Sequence, residues 1–166
     1  MFRIEFTDGA IEDLEVFSKP EQRQIVAALE AQLTINPAHE TQDRKRLHPS
    51  GFAEWEIRIR KIRVFYDIQN GSVKVVAIGK NFFINLRYFR RRARIANPSE
   101  EPTWRESLIV RGDDRDECAA HPADDFNAEI EITRANQSLE TFLESRAREP
   151  GTTSVLDVKK QLEIDR

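Results

Sequence analysis

The chain has 166 residues, 33% of them charged and 39% hydrophobic, which suits one domain or one small domain with an appendage. No apolar run approaches the roughly 20 residues that span a bilayer, so a helical membrane protein is excluded. With one cysteine, Cys118, and no signal-peptide core in MFRIEFTDGA, an internal disulfide cannot form and a reducing cytoplasm is the expected compartment.

The net charge of -3 hides an asymmetry. Residues 1–97 hold 17 Lys+Arg against 12 Asp+Glu, and residues 98–166 hold 9 against 17. A basic part joined to an acidic part reads as a polyanion-binding body with an acidic tail, or as two parts that neutralise each other.

In chain order, Phe2, Ile4 and Phe6 alternate with Arg3 and Glu5, which predicts a strand. Thr7 is a helix cap, and Ile11, Leu14 and Phe17 follow at helical spacing. Pro20 opens a second helix striped by Ile25, Val26, Leu29 and Leu33, which Asn36-Pro37 ends. Residues 38–52 are polar and read as loop. Strands are expected at about 53–60, 61–68 and 73–79. Asn70-Gly71 marks a two-residue hairpin, since both turn positions favour positive φ. The order β-α-α-β-β-β is an α+β layer, with a helical hairpin on one face of an antiparallel sheet.

Beyond Lys80, aromatics interleave with arginines in NFFINLRYFRRRARI, and 107–111 reads as a short strand. The domain reading is a body over 1–112, in which 81–106 is an atypical insertion or extension. A linker over 113–133 and a helical tail over 134–166 complete it. Leu139, Phe142 and Leu143 stripe one tail helix, expected at about 135–148; Val158 and Leu162 stripe a second that begins at Ser154 and Asp157. Such short helices are marginal alone and need a host surface.

No nucleotide-binding glycine loop, paired-cysteine motif, metalloprotease motif or serine-hydrolase elbow is present, and His39, His48 and His121 stand apart. No metal or cofactor is expected. The candidate chemistry lies in EWEIRIRKIRVFYDI, Glu54–Ile68. There Arg58 and Arg60 share a strand face by the period of two, Lys61 sits at the joint, and Arg63 returns beside them. Like charges so placed are a bed for phosphates. Arg90 and Arg91, among aromatics, suit RNA by charge and stacking.

The ordered set FRIEFTDGAIEDLEVF, a helix ending in NP, LHPSGFAEWEIRIRKIRVFYDI and VKVVAIGK resembles the RelE/ParE superfamily of type II toxin–antitoxin toxins over about residues 1–90. The resemblance implies a compact RNase-like fold. In the RelE branch it implies ribosome-dependent mRNA cleavage by metal-free attack of a 2′-hydroxyl on phosphate. In the ParE branch it implies inhibition of DNA gyrase without catalysis; the further alternative is a catalytically inactive toxin–antitoxin fusion that neutralises itself. Under the RelE reading the catalytic residues would be Arg58, Lys61, Arg63, Arg87 and Tyr88. Lys45, Arg46, Arg60, Lys80, Arg90 and Arg91 would contact RNA. Two positions depart from RelE: Glu56 stands where it has lysine, and Asn81 where it has arginine. The tail is similar to the toxin-binding end of antitoxins, which makes Leu139, Phe142, Leu143, Val158 and Leu162 antitoxin-like contacts, with Glu140, Glu144 and Asp157 as carboxylates to face the strand cations. The expected partners are a cognate antitoxin or this tail, then ribosome and mRNA, or gyrase; no membrane is expected.

Overall fold

The structure, a computed structural model, describes residues 1–47, 53–80 and 126–164. It opens with β1 (Arg3–Phe6), α1 (Asp8–Glu15) and α2 (Lys19–Leu33), followed by β2 (Arg44–Arg46), β3 (Trp55–Ile59), β4 (Ile62–Gln69) and β5 (Ser72–Lys80). The tail adds α3 (Phe126–Ala135), α4 (Gln137–Ala147), β6 (Thr153–Ser154) and α5 (Val155–Gln161). One sheet runs in the order β2-β3-β4-β5-β1-β6. β1 lies parallel to β5, and the other pairs are antiparallel.

Local chemistry sets the elements. The Thr7 hydroxyl accepts from Ala10 N at 3.1 Å and so caps α1. Glu21 reaches back to Ser18 N at 3.0 Å, and Pro20 occupies the first turn of α2. Asn70 (φ 47) and Gly71 (φ 80) make the tight turn between β4 and β5. Trp55, Ile57, Val64, Tyr66, Val73 and Val75 point to one sheet face and pack on Leu14, Ile25, Leu29 and Leu33 of the helical hairpin. Burial pushes the Tyr66 phenol upward, and its hydroxyl donates to Pro37 O at 2.7 Å.

Three features differ from the sequence reading. Arg44–Arg46, expected as loop, is an edge strand paired with β3. β5 carries a bulge opposite Phe65 and Tyr66, so Val76 and Ala77 both turn to the second face. A helix starts at Phe126, inside the stretch read as linker. The expected strand at 107–111 lies outside the described residues.

The tail occupies three sides of the body. On the second sheet face, Phe126, Ile130, Leu139 and Leu143 bury against Leu47, Phe65, Val76 and Ala77, with Phe142 partly buried beside them. β6 then extends the sheet at the β1 edge, Thr153 beside Phe6 and Ser154 beside Glu5. Finally Val158, Leu162 and Ile164 enter the first core next to α1 and α2. No helix among the described residues is long and apolar enough to cross a membrane.

Candidate functional site

The second sheet face carries the strand cations. Trp55, Ile57 and Ile59 point to the helical hairpin, so Glu56 and Arg58 must point the other way. In register, Arg58 stands directly opposite Arg63, and Glu56 opposite Phe65. Two arginines facing each other would repel. The carboxylate diagonal to Arg63 offsets this: Arg63 Nε lies 2.8 Å from Glu56 Oε1. Glu56 is fully buried and Arg63 nearly so, at 4% exposure. A buried charge needs such a partner, because removal from water costs several kcal/mol per ion.

The tail closes over this pair. Arg63 Nη1 donates to Thr133 Oγ1 at 3.2 Å, and the Arg58 guanidinium lies 5.8 Å from the centroid of the Phe126 ring. Arg58 Nε also donates to Arg60 O at 3.1 Å, which ties the strand to its own turn. Arg134 of α3 donates to Leu47 O at 2.7 Å and to Arg46 O at 2.6 Å.

The remaining sequence candidates spread around the molecule. Arg60 is not on the strand face beside Arg58. It sits in the β3–β4 turn at φ 59, and its side chain lies 3.5 Å from Gln24 of α2, on the opposite side of the sheet. Lys61 is exposed in the same turn. Lys80 pairs with Glu21 and lies over the Phe17 ring at 5.3 Å, again toward the helical hairpin. This contact, with the Ser18 amide, lowers the Glu21 carboxyl to about 2. Arg46 pairs with Glu54 at 3.1 Å, and Lys45 is half-buried opposite Glu56. Arg87, Tyr88, Arg90 and Arg91 lie outside the described residues.

The tail carboxylates do not face the strand cations as expected. Glu144 binds Arg148 on its own chain turn at 2.6 Å. Asp157 takes the Ser154 hydroxyl at 2.7 Å and lies 3.8 Å from Lys160. Glu140 sits in the first turn of α4, where a carboxylate meets the helix dipole. Body and tail instead meet through a pair the sequence did not signal. Arg146 Nη2 of α4 donates to Asp13 Oδ1 of α1 at 3.0 Å, both side chains buried. Burial raises the Asp13 carboxyl above its ordinary value, while Arg146 and the Ile78 amide oppose the rise. Among the described residues, no cluster of His, Cys, Asp and Glu could hold a metal ion.

Residues 4–81 match the family model described as the ParE toxin of the type II toxin–antitoxin system parDE. Among solved structures, the chain is similar to the toxin–antitoxin complex RelBE2 from Mycobacterium tuberculosis. The two are 19% identical over 48% of this chain and 98% of that one, with a TM-score of 0.41. None of the curated proteins matches the sequence.

Proposed function

We propose that residues 4–81, which match the ParE toxin model, form a toxin domain of the RelE/ParE superfamily, and that the protein arrests growth by binding a protein target, as gyrase-directed toxins do, with an antitoxin as its natural partner. The observation that carries this reading is the buried Glu56–Arg63 pair at 2.8 Å. Cleavage of RNA by 2′-hydroxyl attack needs uncompensated positive charge aimed at the phosphate, held in place before the reaction. A carboxylate against Arg63 cancels that charge and repels a phosphate brought to it. A protein-binding inhibitor has no such requirement. DNA gyrase would place the protein in the bacterial cytoplasm.

A second reading, a ribosome-dependent mRNA endonuclease, is favoured by one observation: Arg58 stands directly across the hairpin from Arg63. In that reading Arg58 and Lys61 bear the phosphate charge, with Arg87 and Tyr88 completing the site.

Induced expression of residues 1–122 in a bacterial host separates the two. The expected outcome is growth arrest with DNA breaks and intact mRNA. Arrest with cleaved mRNA, lost on Arg58→Ala, would move the assignment to the second reading. Normal growth in cells that accumulate folded protein would remove both.

A further inference from the structure

We infer that residues 126–164 are a detachable inhibitor of the second sheet face, keyed to the body at α1, where Arg146 of α4 lies across Gly9. The inference rests on the toxin reading of the body and names the regulation of that same face.

Several of the tail's polar fastenings use only its backbone. Lys74 Nζ donates to Ala147 O, and Lys19 Nζ to Leu162 O. Arg134 binds the backbone carbonyls of Arg46 and Leu47. β6 pairs through backbone alone along the β1 edge. Apart from Arg134, these contacts ask only for a tail backbone in the right place. Lys159 does meet Glu30 at 2.8 Å, but both side chains keep a fifth or more of their surface in water, and such pairs discriminate little.

Arg146 is different. An ideal Cβ built on Gly9 would stand 1.6 Å from its Nη1 and 2.4 Å from its Cζ. A side chain at position 9 would force the guanidinium to shift from its seat. Gly9 and Asp13, four residues apart, share one face of α1, so the same slot that admits the flat group supplies its counter-charge. The second Asp13 oxygen accepts from Ile78 N at 3.1 Å, which fixes the carboxylate. Glu149 Oε2 accepts from Gly9 N at 2.9 Å, so the tail also occupies the start of α1. A planar cation over the Phe142 ring at 5.0 Å, with the Asp13 carboxylate beside it, is a site for arginine and not for lysine.

The body does not depend on this segment for its first core. That core is built mainly from β1, α1, α2 and β3 to β5, to which the tail adds Val158, Leu162 and Ile164. Opening of the tail uncovers Arg58 and Arg63 while leaving the helical hairpin on its sheet.

Gly9→Ala makes the test selective, because it favours the α1 helix intrinsically and displaces the Arg146 guanidinium. Hydrogen exchange is compared across the full-length parent, Gly9→Ala and Arg146→Ala. The expected result is exchange about a hundredfold or more faster in residues 126–164, as loss of a buried charge partner implies, with β3, β4 and β5 still protected. Tail protection unchanged in both variants would overturn the inference. So would loss of protection in β3 to β5 in step with the tail, since the segment would then be an integral part of the fold. Growth on induction is read separately. A tail that opens without growth arrest upholds the lock and removes the toxin reading of the body.

Discussion

Glu56 shows how one residue redirects a site. It stands among strand cations, where a lysine would make a bed for phosphate, and it pairs with Arg63 at 2.8 Å while fully buried. Breaking a buried pair leaves one charge without a partner, at a cost of about 3–5 kcal/mol. Glu56→Ala should therefore lower the urea unfolding free energy by about that amount. Glu56→Leu combined with Arg63→Met should recover most of the loss, since an apolar pair of similar volume needs no compensation. Lys80 acts at the surface and more weakly. Its contact helps hold the Glu21 carboxyl at about 2. A depressed carboxyl stabilises the fold above its unfolded value of 4.5 and loses that contribution as pH falls toward 2. Lys80→Ala should bring the Glu21 titration, followed by NMR, back up toward its ordinary range, and added salt should do part of the same in the parent.

At the scale of elements, Arg44 joins strand to helix. It is buried, and its guanidinium donates to Gln32 O at 2.8 Å, Asn36 O at 2.5 Å and His39 O at 3.2 Å. These include carbonyls that the end of α2 leaves without a helical partner. Arg44→Met should cost about 2–4 kcal/mol, the range for losing more than one charge-assisted hydrogen bond. It should also speed amide exchange from Gln32 to Asn36. β2 was hidden in the sequence because Arg-Lys-Arg has neither alternation nor branched residues; its strand geometry comes from pairing with β3 and from this clamp. The bulge at Val76 was hidden for a related reason. An unbroken apolar run such as Val75–Ile78 fits a strand buried on both faces with or without an extra residue. The helical hairpin, the β3–β4–β5 meander and both tail stripes were legible, because each repeats a period of two or 3.6. The Arg58–Arg63 apposition was legible from the same period. Arg60 was not, because it lies in the turn at φ 59. The Gly9–Arg146–Asp13 contact left no local signal, since Arg146 lies 133 positions from Asp13 and only the fold joins them.

Among the described residues, the sheet has a cover on each face, and the buried ion pair between body and tail lies at α1. Asp13 is the group to titrate. Burial raises its carboxyl, with Arg146 and the Ile78 amide opposing and Glu149 adding to the rise. A raised carboxyl favours the folded state below its unfolded value of 3.8, and that contribution is lost as pH rises through the folded value. In Arg146→Ala the opposing charge is gone and the loss with rising pH is larger. The variant should be close to the parent in urea midpoint below pH 3.8, where Asp13 is protonated, and weaker by about 3–5 kcal/mol at neutral pH. A midpoint difference independent of pH would assign the effect of Arg146 to packing alone. The tail's position on the body also has a consequence for stoichiometry. A separate inhibitor protects a cell only while its copies outnumber the toxin's, and its occupancy falls by mass action when synthesis stops. Under the proposed reading, inhibitor and toxin are translated together, one to one, and binding is intramolecular. Dilution by cell division cannot part them. Only local opening, or a cut in the chain between them, sets the body free, so the number of active molecules follows an event on each chain and not the ratio of two pools.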